Sequence, residues 1–489
     1  MMKRLKSYSF ILFAFISLII IGCEDKSDLT APASVNTGDA DFTMFVTLGS
    51  SITAGTQNNS VYEEVQSYSL ANIIAEQVSA NFEIPWISMP GIPGRLELHQ
   101  LYDQDGNESP IISANSGVGS PKNLEYAAPY NNLSIHGSIL FDIVDTTDFS
   151  LKSDQRGNPF FNIVLRNPAF GKSPLEQALN LNPTFLLLQI GHNDALAYAT
   201  SGGTKGTDAT GTLPTDIPTF TFLYNQISQV IGLSNAKVVV GNIIDLESIP
   251  FFTTVGPLTG LALQQAQSFN PQILGLFYQK NTEIVASGLA QPEDLFTGSI
   301  YLTLAGMSYA SLIGQPSDQF YTDYSIPIPP GIDTNQPFGL HPQNPWPDVF
   351  ILDSDEIELI KNTIDGFNGV IQNIANGNGW AVADINKRVN EIKDKQLSGT
   401  GPIIIDGTEF TTDFISGNFY SLDGVLPTSQ GQAILANTFI DAINNKFNAN
   451  IPNINISTIP GSLALSKYSE LRKKYLKIAP KILDNVMYW

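Results

Sequence analysis

The sequence predicts an α/β fold built on a parallel sheet covered on both faces, and three observations carry that prediction. Four short runs, residues 42–48, 184–190, 237–244 and 380–385, are almost continuously apolar rather than alternating, as strands buried on both faces are. Helix-like stretches and breakers separate them, the pattern of strands joined through helices. At 489 residues, 43% hydrophobic and 15% charged, the chain has the composition of a globular protein with a large core.

Residues 42–48, bounded by Asp39, Asp41 and Gly49, read as a short buried strand feeding a turn. A helix follows, with Tyr68, Leu70, Ala71, Ile73, Ile74 and Val78 on one broad face. The second strand, 184–190, comes after a helix-like 175–181 and the breaker Asn182-Pro183. The strands are too far apart for a minimal unit, so insertions are expected at about 84–130 and 251–350, long enough to carry function or structure of their own. Asp353-Ser354-Asp355-Glu356 reads as the cap and first turn of a helix through Ile357 and Ile360. Residues 430–437 open another helix, whose apolar face runs on through Phe439 and Ile443.

The ends differ from the middle. Residues 1–22 read as a secretory signal: Lys3, Arg4 and Lys6 precede an apolar stretch that is short for a membrane span and ends at Gly22-Cys23. Cys23 is the only cysteine, so no intramolecular disulfide exists. Its place after Ile20-Ile21-Gly22 resembles a bacterial lipobox, which implies cleavage before Cys23 and its acylation; an incidental cysteine in an uncleaved anchor is the alternative. Residues 23–40 are expected to be a flexible tether, and 41–460 the folded domain. In 461–489, Lys467, Arg472, Lys473, Lys474, Lys477 and Lys481 accompany Tyr468, Leu471, Tyr475, Ile478, Ile482 and Val486 at helical spacing. This predicts a basic amphipathic helix, broken near Pro480 and packed on the acidic body, with a membrane or partner contact as the alternative.

The net charge is −21, and loss of the three basic residues of 1–22, with no acid among them, takes it to −24. That excludes nucleic acid as a partner and leaves membrane attachment to the acyl chains on Cys23. There is no paired-histidine or second-cysteine spacing and no glycine-rich phosphate loop, so no metal or cofactor is expected.

The chemistry-bearing residues lie at strand ends. Ser51, in Gly49-Ser50-Ser51-Ile52-Thr53-Ala54-Gly55, follows the first strand, where open α/β sheets bind ligands; a serine there is also a good helix cap. Asn132-Leu133-Ser134-Ile135-His136-Gly137 offers a glycine amide, and Gly191-His192-Asn193-Asp194 offers a side-chain amide directly after the second strand. Asp423-Gly424-Val425-Leu426-Pro427-Thr428 precedes the last long helix.

These four blocks, in this order, resemble the SGNH, or GDSL, hydrolase superfamily, in the large lipoprotein form of Bacteroidetes-type bacteria. The resemblance implies a three-layer α/β/α sandwich with a five-stranded parallel sheet, flavodoxin-like, and hydrolysis of carboxylic esters such as lipids or acylated glycans. It makes Ser51 the nucleophile, with Gly137 and Asn193 as oxyanion donors and Asp423 the orienting acid; Gly94 competes with Gly137. Asp194 is expected to brace its loop. Ser50 and Ile52 depart tolerably from the name motif, but Leu426 stands where the catalytic histidine belongs. A leucine cannot accept the serine proton, and loss of that base costs on the order of a million-fold in turnover. Among His99, His136, His192 and His341, the substitute bases to consider are His136 and His192, each beside an oxyanion residue; an ordinary hydrogen-bonded loop histidine is the alternative for both. The expected function is an envelope ester hydrolase, lipid-anchored at the outer membrane on its periplasmic or surface face, or an inactive relative that binds a ligand or an outer-membrane protein.

Overall fold

The computed structural model describes residues 35–102, 108–208, 211–280, 286–461, 477–478 and 480–483. The expected signal segment and Cys23 lie outside them. The described residues from Thr37 onward form one compact unit.

Four strands make the central sheet: β1 (Phe45–Gly49), β2 (Phe185–Gln189), β3 (Lys237–Gly241) and β4 (Ala381–Ala383), parallel and neighbouring in that order. Phe45 pairs with Phe185, Phe185 with Lys237, and Ala381 with Val239. Every residue of β1 and β2 is buried, so helices cover both faces of the sheet. On the outer side of β1, the Thr47 N–H donates to Asn131 O at 2.8 Å, while the Leu133 and Ile135 amides donate to Thr47 O and Gly49 O. The chain therefore leaves β1 toward one side and enters β2 on the other, and the serine turn sits where these directions part.

The helices include α1 (Leu70–Gln77), α2 (Pro174–Asn180), α3 (Asn193–Thr200), α4 (Ile217–Ile231), α5 (Ser354–Asn378), α6 (Ile385–Leu397) and α7 (Ser429–Phe447). Their starts follow from capping. Ser69, Ser173, Asp216, Asp384 and Thr428 each accept a backbone N–H from the first turn, and Asp353 forms a full capping box with Glu356. The pair α4 and α5 joins through Phe220 stacked on Phe367 with centroids 3.8 Å apart. Helix α7 packs on α1 and on β4, and its Phe447 meets Phe185 edge-on.

Two expectations at the termini need correction. The flexible tether does not extend to residue 40: Asp39 N–H donates to Phe447 O, Asn448 donates to the Asp39 carboxylate, and Ala40 is buried. Nor is the tail helical where it is described. Lys477–Ile478 is a strand, parallel to Glu108–Ala114 and completing a sheet with Leu96–Tyr102. Ile478 in this strand and Leu483 beyond it are buried. No described helix is long and apolar enough to cross a membrane.

Candidate active site

Ser51 opens a single helical turn, Ser51–Ala54, directly after β1. The turn is tight because Gly49 has no side chain: a Cβ there would lie 2.6 Å from Gln189 O. Ser51 is buried, and its Oγ lies 2.9 Å from His136 Nδ1 and accepts the Gly137 N–H at 3.3 Å. Gly137 has φ +79°, a conformation that glycine adopts at little cost and that turns its amide toward Ser51. Gly94 instead packs against the carbonyls of Asn115 and Gly117.

His136 is fully buried. Its ring stands edge-on to Phe160, its carbonyl accepts from Asn158, and its Nδ1 also lies 3.2 Å from Thr56 Oγ1. Burial alone pushes its pKa down to about 3, so the ring is neutral at ordinary pH. In the tautomer with its proton on Nε2, Nδ1 accepts from the Ser51 hydroxyl.

His192 lines the same small cavity as Ser51, but its ring nitrogens bond elsewhere. Its Nε2 accepts from the Ile244 amide at 3.2 Å and its Nδ1 lies 3.3 Å from Gln189 Nε2, so it ties the ends of β2 and β3 together. Burial holds it neutral too, pushing its pKa down to about 4. Asn193 donates to Ser138 O at 2.8 Å, holding the loop behind Gly137, and its Oδ1 is buried with no hydrogen-bond partner among the described residues. Asp194 accepts from the Leu140 amide and the Thr215 hydroxyl, a bracing role, and burial pushes its pKa up to about 7.

Asp423 is wholly buried, and its carboxylate is occupied on every side. Oδ1 accepts from the amides of Val425 and Leu426; Oδ2 accepts from the Asn59 amide and the Ser421 hydroxyl. Burial still raises its pKa against these four donors. The acid therefore shapes its own loop and docks it on the 58–59 turn. Leu426 is 2% exposed and faces, with Ser51, Ile52, Leu196, Ile249 and Val425, a cavity of about 20 Å³. A water molecule needs about 10–15 Å³ by the same measure, so no ester fits beside the serine in this conformation.

The structure thus brings Ser51, His136 and Gly137 together, sets Asn193 and His192 on the same small cavity as Ser51 with their hydrogen bonds made to other groups, and gives Asp423 to its own turn. Thr56 and Asn158, which hold His136, have no motif around them and were not legible in the sequence; Thr56 stands just past the serine turn, the one hint available. His99 pairs with Ser113 and His341 with the Gln343 amide, and neither contacts the serine. Among the described residues no group of three or more His, Cys, Asp or Glu side chains can hold a metal ion. In comparisons with protein-family models, curated proteins and solved structures, the chain matches none.

Proposed function

We propose that the chain is a lipid-anchored envelope protein with the SGNH/GDSL hydrolase fold, whose serine site is packed shut and whose work is binding rather than ester turnover. The occupants in view are a lipid or acylated-glycan ligand, or an outer-membrane protein. The hydrogen bonds of residues 131–135 along β1 support a fifth strand, which gives the order 2-1-3-4-5 of flavodoxin-like three-layer sandwiches. The lipobox at Cys23 supports the anchor and the outer-membrane location. The observation that carries the non-catalytic reading is Leu426 closing the cavity beside Ser51 while Asp423 is spent on backbone amides and a serine hydroxyl.

One contact favours a second reading, an ester hydrolase with His136 as its base: the 2.9 Å approach of Nδ1 to Ser51 Oγ. Chemistry weighs against it. Protonating an imidazole whose pKa is about 3 costs roughly 5 kcal/mol more than protonating an ordinary histidine, on the order of a thousand-fold in rate.

Hydrolysis of short and medium-chain nitrophenyl esters by the wild type, Ser51→Ala and Leu426→His distinguishes the two. Binding without turnover predicts no difference between wild type and Ser51→Ala. Wild-type turnover abolished by Ser51→Ala would establish the hydrolase, and activity gained only by Leu426→His would identify the base as the missing part.

A further inference from the structure

A second cavity, of about 420 Å³, lies where the 251–350 insertion meets α6 and the loop at 412–414. Its size falls among those of small-molecule sites, roughly 300–1,000 Å³, unlike the space beside Ser51. Leu258, Leu295, Phe296 and Phe414 give it apolar walls. Phe296 is 39% exposed and borders the opening, whereas Leu295 and Phe414 are buried.

The polar lining is nearly all committed. Lys393 lies 3.3 Å from Glu247, which also pairs with Lys361, and Asp413 accepts from Gln396 and Thr411. Each charge is thus already engaged, and a charged ligand would have to break a pair to be held. Tyr301 is the exception. It lines the cavity and is only 7% exposed, yet its hydroxyl makes no hydrogen bond among the described residues. Its oxygen is open to solvent rather than sealed in the core, so it can donate to a molecule seated in the cavity.

We propose that this cavity binds an uncharged small molecule with an apolar, ring-sized body and one hydrogen-bond acceptor, which the Tyr301 hydroxyl donates to. The site is separate from the serine turn and does not depend on whether Ser51 turns over esters.

The test titrates the full chain with prodan, an uncharged naphthyl ketone, and with the anionic anilinonaphthalene sulfonate, following fluorescence. Prodan should bind saturably at one site and about ten-fold more tightly than the sulfonate. Leu258→Trp, which fills the cavity, should weaken prodan by about ten-fold or more. Tyr301→Phe, which preserves the packing, should weaken it by about 3- to 10-fold, the range for one hydrogen bond, with the thermal midpoint unchanged. Ser51→Ala should leave prodan affinity as it was. Absence of saturable prodan binding, equal affinity for the sulfonate, or an affinity indifferent to both cavity substitutions would overturn the proposal.

Discussion

Leu426 donates its backbone amide to the Asp423 carboxylate at 2.7 Å while its side chain helps close the cavity at Ser51. The residue that removes the expected base thus keeps a backbone link to the acid. Its apolar side chain has become part of the core.

Leu426→Ala should therefore behave as a core truncation, costing roughly 2 to 5 kcal/mol, whereas Leu426→Met, which conserves volume, should cost less than about 1.5 kcal/mol. Urea unfolding measures both. Equal, small losses would show that the site tolerates an open pocket.

Asp423→Ala leaves four buried donors without their acceptor and should cost about 3 kcal/mol. The loss is predicted with no ester present, because the acid's role is structural. A variant as stable as the wild type would return Asp423 to the list of residues held for chemistry.

His192 gives a pH signature. Its folded pKa of about 4 lies below the ordinary 6.5, so between those values the unfolded chain takes up a proton that the folded chain refuses. Its stabilising contribution is complete above pH 6.5 and falls on acidification, by about 1.4 kcal/mol per pH unit, until pH 4. Relative to His192→Gln, the wild type should lose stability over that window, measured by urea unfolding at stepped pH; parallel curves would refute the assignment.

Asp194 runs in the other direction. Its folded pKa is raised to about 7 from 3.8, so the folded chain holds a proton that the unfolded chain releases. Stability from this group is greatest below pH 3.8 and falls as pH rises toward 7, again by about 1.4 kcal/mol per unit, then stays flat. Asp194→Asn should remove that slope, and a slope unchanged in the variant would count against a buried, protonated Asp194.

Arg166 holds a loop by two means. It donates to the carbonyls of Leu124, Tyr126 and Ala128, and its guanidinium lies 3.7 Å from the centre of the Tyr130 ring. Arg166→Ala should cost about 2 to 3 kcal/mol and expose residues 124–130 to limited proteolysis, whereas an unchanged digestion pattern would mean the loop is held by other contacts.

The four central strands were legible because burial on both faces writes an unbroken apolar run; three lie within their expected ranges and β1 ends one residue beyond its own. The added pairing along β1 was not: Asn131, Asn132 and Ser134 are polar, and their fit depends on side chains that bond back to Phe45 O, Thr53 O and the chain itself. The serine turn and the glycine amide followed from their blocks. His136 was visible only as a neighbour of Gly137, since chain position does not fix where a ring points. Ile478 misled, because residues spaced to line one helical face also include the inward side of a short strand.

That short strand has a consequence for how the protein is made. The hairpin of Leu96–Tyr102 and Glu108–Ala114 leaves the ribosome early, but its third strand, Lys477–Ile478, emerges some 360 residues later. For most of synthesis one edge of the hairpin is an open template for mispairing. The final stitch in this region comes last, which places a premium on keeping the nascent chain apart from its neighbours until the far end arrives.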